Sequence, residues 1–150
     1  MTAPITSFTG PYRWLSNFHF IDIEFEGVIY PSVEHAYMAA KTLIPEERAD
    51  ILACKTSGQA KRHGMRVTLR PNWDNMSFPY MKVFNTLKYN DPELREKLLA
   101  TEDAILIEGN TWGDKRWGAV WDDKNGWEGQ NLLGHLLMDI RAELRIHWEK

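Results

Sequence analysis

Between Ile105 and Gly134 the chain reads ILIEGNTWGDKRWGAVWDDKNGWEGQNLLG, a stretch that holds six of its ten glycines and four of its seven tryptophans. Glycine lets backbone turn tightly and approach a ligand closely, while each Trp brings a large flat face and one N–H donor. A core helix or strand seldom needs both at this density, so the segment reads as a binding loop. Asp114, Lys115 and Arg116 stand between Trp112 and Trp117. The expected ligand is therefore flat and anionic, as nucleotides are.

The rest of the composition sets limits on that reading. A chain of 150 residues with 43% hydrophobic and 26% charged residues is expected to form one domain, 1–150, with a real core. The formal net charge of −3 argues against a general nucleic-acid-binding surface and leaves room for a local basic cleft. Cys54 is the single cysteine, which excludes an intrachain disulfide and a Cys-based zinc site and fits a reducing compartment. The N-terminal MTAPITSF lacks a basic and then apolar leader pattern, and no apolar run reaches membrane-spanning length. The expected location is the cytoplasm, with no membrane partner.

Residues 20–30, FIDIEFEGVIY, alternate Ile21, Ile23 and Phe25, turn at Glu26-Gly27 and continue through Val28 and Tyr30, the pattern of a hairpin. Ser32 is a good N-cap for a helix over about 33–41 with the stripe Val33, Ala36, Tyr37 and Ala40. Pro45-Glu46-Glu47 opens a second helix that fades near Lys55, and Ser57–His63 reads as a short helix stopped by Gly64. Irregular chain is expected over 66–75, then a helix from Pro79 to Tyr89 burying Tyr80, Val83, Phe84 and Leu87. Asp91-Pro92-Glu93 starts another, with Leu94, Leu98 and Leu99 inward. Ala104–Glu108 reads as a strand, Ala119–Trp121 as a second short one, and a final amphipathic helix carries Leu133, Leu137, Ile140 and Leu144. The fold class is α+β: mostly helical, with a small antiparallel β element.

Several residues could carry chemistry. Glu34 sits in the first turn of the 33–41 helix and Lys41 seven positions later, about 20° away around the axis, with Met38 between them. Either the two project into one cleft, or they are a dipole-favoured acid and a solvated lysine. Asp114 either caps a turn or, bracketed by indoles, is partly desolvated and made more basic. Trp73 either covers the edge of the core or stacks on a ring. The basic set Lys55, Lys61, Arg62, Arg66 and Arg70 is either a solvated face or a phosphate holder. The N-terminal GPYRWLSNF mixes turn formers, aromatics, Arg13 and a buriable Asn17. No histidine pair has metal-ligand spacing, and there is no phosphate-loop, dinucleotide or nucleophile-elbow motif. No cofactor is expected.

WLSNF (Trp14–Phe18), YPSVEHAYMAAK (Tyr30–Lys41), WGDKRWG (Trp112–Gly118) and NLLGHLLMDIR (Asn131–Arg141), in that order, resemble the NADAR (NAD and ADP-ribose) superfamily of YbiA-like N-glycosidases. The resemblance covers nearly the whole chain, and the helix SxEH-to-AxK followed later by WGD is its specific part. It implies a small, mostly helical α+β hydrolase that cleaves the bond between a ribose anomeric carbon and an amino nitrogen. Substrates of the family include phosphoribosylated intermediates of riboflavin biosynthesis and ADP-ribosylated guanine, so nucleic acid enters as a carrier of substrate. The resemblance implies Glu34, Trp73 and Asp114 as active-site residues, with Asn17, Lys41, Trp112, Asn131, Arg13 and Trp117 as substrate contacts. Two departures bear on the substrate: the cations Lys115-Arg116, and the long acidic insert Trp121–Asn131.

Ribosyl C–N cleavage passes through an oxocarbenium-like transition state and calls for two groups. One carboxylate activates water or stabilises the sugar cation, and an acid protonates the departing nitrogen. Glu34 and Asp114 are the candidates, in either order, and a variant route forms an imine between Lys41 and the ring-opened sugar. The rivals are a binding module for NAD or ADP-ribose without turnover, and an interaction protein whose tryptophans form a contact patch.

Overall fold

The computed structural model describes residues 2–148, and the chain gathers into two units: Ser16–Asn90, and the N-terminal stretch to Leu15 together with everything from Asp91 onward. In the first unit, β1 (Phe20–Phe25) and β2 (Val28–Ser32) form the expected antiparallel hairpin, with Ile23 opposite Tyr30 and Phe25 opposite Val28. Ser32 ends β2 in an extended conformation and caps α1 (Val33–Ala40), its Oγ accepting from the His35 N–H at 3.1 Å. A cap of this kind is worth about 1 kcal/mol. The predicted apolar stripe understates α1, because all eight of its residues are buried.

Helix α2 (Pro45–Leu52) and helix α3 (Ser57–Gly64) both pack against α1. Gly64 does not stop α3 by turning left-handed. It is the last helical residue, and a Cβ there would meet Met38 Sδ at 2.0 Å, so it lets α3 and α1 approach. Helix α4 runs from Trp73 to Lys88, two turns earlier than the expected start at Pro79. Asn72, at φ 61°, turns the chain, and its carbonyl accepts from Asn75 and Met76. Pro79 then lies inside the helix, where its missing N–H forgoes the bond to the Asn75 carbonyl. The buried face of α4 also differs: Met81, Phe84, Asn85 and Lys88 are inside, while Val83 and Leu87 are exposed. Phe25 meets Tyr80 and Phe84 edge-on at 5.6 and 5.2 Å, tying β1 to α4.

The second unit holds a 3-10 turn (Gly10–Leu15), α5 (Pro92–Ala100), a hairpin of β3 (Val120–Asp122) and β4 (Gly126–Glu128), and α6 (Leu132–Trp148). Asp91 caps α5 through the Leu94 N–H. Leu94 and Leu98 of α5 and Leu133, Leu136, Leu137 and Ile140 of α6 are buried with Leu106. The expected strand over Ala104–Glu108 is reduced to one parallel bridge, Ile5 with Leu106. The expected strand at Ala119–Trp121 is shifted by one residue and pairs with β4, which the sequence reading did not foresee. The α+β class with small antiparallel elements holds. Among the described residues no helix is long and apolar enough to cross a membrane.

Candidate active site

Within the Ser16–Asn90 unit, α1 organises one set of candidate residues. Its first turn carries Glu34, only 6% exposed, whose N–H donates to the Asn17 carbonyl at 3.1 Å. Lys41 caps the other end of α1. Its Nζ donates to the Gly64 carbonyl at 3.0 Å and lies 3.8 Å from Met38 Sδ. Burial pushes the Lys41 pKa down, and the negative charge of Glu34 opposes that shift. Glu34 keeps the dipole-favoured first-turn position, but it is buried, and Lys41 is not fully solvated: burial and the Glu34 charge both act on it.

Asn17 is buried, and its amide is used internally. Nδ2 lies 3.4 Å from Met81 Sδ, Oδ1 accepts from Asn85 Nδ2 at 3.2 Å, and its main-chain carbonyl receives Glu34. Asn17 therefore fixes the entry to α1. Lys88 supports the same point: it is fully buried, and its Nζ donates to the Ser16 carbonyl at 2.9 Å. Burial alone lowers its pKa to about 7. Hydropathy patterning could not select Lys88 for an inner face, because a lysine at that position reads as solvent-facing. His35 is a core residue. Its Nε2 lies 3.0 Å from the Cys54 carbonyl, which can only accept, so Nε2 carries the proton and Nδ1 faces Ser32 Oγ at 2.6 Å. Burial lowers the His35 pKa, which favours that neutral form.

Trp73 opens α4 and is 6% exposed, packed against Tyr37 at 5.2 Å and stacked near Tyr80 at 6.1 Å between ring centres. Most of its face is committed to that aromatic cluster, so it offers little more than an edge to a ligand. Arg70, one of the basic set, is also committed: its guanidinium donates to the Ala40 carbonyl and to the Tyr80 hydroxyl.

In the other unit, Asp114 is held by a turn. Asn110 Nδ2 donates to the Asp114 carbonyl at 2.8 Å, and the Asp114 N–H donates to Asn110 Oδ1 at 2.9 Å. Asp114 Oδ1 accepts from the N–H groups of Arg116 and Trp117, both at 3.0 Å. The turn-cap reading is thus realised through one oxygen, and Oδ2 takes no hydrogen bond among the described residues. The two indoles do not enclose the carboxylate, because Trp112 is 65% exposed. Trp117 is half-buried beneath the Arg116 guanidinium, 5.1 Å from its ring centre. Asn110 is a residue that sequence reasoning missed; its place inside the Gly/Trp segment, between Gly109 and Trp112, was the available signal.

The loop also builds the start of α6. Carbonyls of Lys115, Gly118, Arg116 and Trp117 accept from the N–H groups of Gln130, Asn131, Leu132 and Leu133, which would otherwise be orphans of a helix end. Gly118 allows this, since a Cβ there would lie 2.2 Å from the Glu108 carbonyl. Asn131 is buried, with Oδ1 accepting from the Glu108 N–H and Nδ2 donating to the Leu106 carbonyl, so its amide is a brace rather than an open contact. Arg13 is exposed at the end of the 3-10 turn. The insert after Trp121 forms the β3–β4 hairpin, with Trp121 and Trp127 paired edge-to-face at 5.3 Å and Asp122 Oδ1 accepting from Lys124 and Asn125. Among the described residues no group of three or more His, Cys, Asp and Glu side chains could hold a metal ion.

The NADAR domain family model matches residues 6–145. N-glycosidase YbiA of Shigella boydii is 36% identical over 138 residues, covering 90% of this chain and 83% of that protein. A riboflavin biosynthesis protein of Vibrio vulnificus is 31% identical over 140 residues, which are 91% of this chain and 36% of that protein. The NMR structure of the E. coli protein YbiA superposes with a TM-score of 0.82 at 33% identity, covering 100% of this chain and 90% of that one. A chain matched over most of its length in sequence and throughout in fold belongs to the NADAR family of N-glycosidases, hydrolases that act on N-glycosyl bonds.

Proposed function

We propose that the protein hydrolyses the ribosyl C–N bond of an N-ribosylated amino base, either ADP-ribosylated guanine or a phosphoribosylamino-pyrimidine. The observation that carries this reading is the α1 face, where buried Glu34 and half-buried Lys41 influence each other's charge. A carboxylate held in a dry, fixed position suits the stabilisation of an oxocarbenium-like sugar or the activation of water. Asp114, with one oxygen uncommitted, is assigned the complementary proton transfer to or from the departing nitrogen. Exposed Trp112 offers a stacking face for the base, worth about 1–3 kcal/mol, and Trp73 contributes an edge. Trp117 and Arg13 are assigned to contacting the substrate, and Asn17 and Asn131, whose amides are bonded internally, to holding the chain that carries the contacts. The riboflavin name of one relative supports the pyrimidine arm.

The lowered pKa of Lys41 also favours a route in which its free amine exchanges with the base amine at C1 of the ring-opened sugar, giving an imine that water then hydrolyses. The test is incubation with ADP-ribosylated guanine DNA and with the phosphoribosylamino-pyrimidine, following base release by mass spectrometry. Release from one of them is expected. Folded protein that releases base from neither substrate overturns the reading, and saturable ADP-ribose binding without release makes it a binding module. Borohydride added during turnover traps a protein–sugar adduct only if the Lys41 route operates.

A further inference from the structure

In the Ser16–Asn90 unit a groove of about 620 Å³ lies between the C-terminal end of α2 and one face of α3, with Asp50, Lys55, Gln59, Arg62, His63 and Arg66 among its walls. Helix α3 has two distinct faces. Ser57, Ala60 and Gly64 are buried, whereas Gln59, Arg62, His63 and Arg66 recur at i, i+3, i+4 and i+7 on the groove side. The helical turn is carried on to Arg66 by its N–H to the His63 carbonyl at 3.0 Å. Between residues 50 and 70 five Lys and Arg stand against the single acid Asp50, in a chain of net charge −3.

These cations are used differently. Lys61 lies 6.0 Å from the Phe18 ring centre, and Arg70 donates to the Ala40 carbonyl. Lys55, Arg62 and Arg66 are exposed, and none is in a salt bridge among the described residues. Arg62 and His63, in the last turn of α3, sit at that helix's negative end, and Lys55 stands three residues beyond the C-terminus of α2 and just before the positive N-terminal end of α3. A cation at that end, facing the same groove as the others, is stabilised by an anion laid along it.

We propose that this groove is a track for the phosphodiester backbone of a single-stranded nucleic acid. Arg62 and Arg66 stand one turn apart, about 6 Å along the helix, a step comparable with one nucleotide of an extended strand. Lys55 lies just before and Arg66 just after α3, whose eight residues rise about 12 Å, longer than one diphosphate can bridge. Met65, next to Arg66 in the chain, is 76% exposed, giving a base face an apolar surface. Fluorescence anisotropy with a labelled single-stranded oligodeoxynucleotide of about 12 nucleotides tests the track, with inorganic pyrophosphate as competitor. Three engaged cations predict that log K falls against log salt with a slope of about −2.

The double variant Arg62→Glu/Arg66→Glu is expected to bind ten-fold or more weakly with unchanged melting, and Arg62→Gln/Arg66→Gln provides the same reading should charge reversal disturb the fold. Absence of salt-dependent binding, or variants that bind like the wild type, overturns the proposal. Pyrophosphate that displaces the strand at equal phosphate concentration also overturns it, in favour of a free-phosphate site. Binding is read without turnover, so a negative result here leaves the glycosidase reading standing, and the reverse holds too.

Discussion

Glu34 and Asp114 are both candidate catalytic acids, but they are held by opposite devices. Glu34 rides on a helix whose residues are all buried, entered through the Asn17 carbonyl and backed by Met38 against Gly64. Asp114 sits on exposed chain, fixed by reciprocal bonds to Asn110 and by its own Oδ1 capping two N–H groups. Packing positions the first, and a polar turn positions the second. The consequence is practical: substitutions near Glu34 disturb the site through volume, whereas substitutions at Asp114 act through hydrogen-bond shape and charge, which can be varied separately.

Asp114 gives the largest separation. Asp114→Asn keeps an oxygen for the turn and removes the charge, so base release should fall at least about 100-fold with little change in melting temperature. Asp114→Ala should lose a similar amount of activity and also about 1–2 kcal/mol of stability from two lost N–H partners. Turnover by Asp114→Asn at the wild-type rate would reduce Asp114 to a turn cap.

Gly64→Ala probes the packed half. The new methyl meets Met38 at its Sδ, Cγ and Cβ, so the side chain between Glu34 and Lys41 must move bodily. A loss of about 1–3 kcal/mol in chemical denaturation is expected, with turnover falling alongside. Unchanged stability would show that α1 and α3 are looser than the packing requires.

How much of these two halves could be read from residue order follows the same division. Ser32 announced α1 and Asp91 announced α5, because a capping side chain acts on its own next turn. The α4 start lies before the expected one because Pro79 resembles a helix start, while Asn72 begins the helix through a left-handed backbone that its residue type only permits, and Trp73 gains its role from tertiary contacts. Its inner face carries Ser77, Asn85 and Lys88, which no apolar pattern marks. Trp73, Asn17 and Asn131 were legible as important, yet most of what the structure gives them is structural work: an aromatic stack and two amide braces. The Gly/Trp segment was legible as a loop, but its bonds to the first turn of α6 join residues distant in sequence.

A further effect concerns Lys88 and is read through pH. Its folded pKa is about 7 against 10.5 unperturbed, so below about 7 it is protonated folded and unfolded. As pH rises above that, the unfolded chain keeps a proton that the folded chain lacks, and stability increases by up to about 1.4 kcal/mol per pH unit. Above 10, Tyr89 works in the opposite sense, because burial raises its pKa and only the unfolded phenol ionises. Urea titrations between pH 7 and 10 should therefore show a rising contribution in the wild type that Lys88→Met lacks. Parallel pH profiles for the two proteins would mean that Lys88 does not titrate in this range.

Glu34, the buried acid in the first turn of α1, is the residue whose proposed role is most directly open to test. Base release from whichever N-ribosyl substrate the wild type turns over, measured by mass spectrometry for wild type and Glu34→Gln, tests this directly. The prediction is a loss of at least about 100-fold with melting within a few degrees of wild type. Glu34→Gln that releases base within a few-fold of the wild-type rate would contradict it.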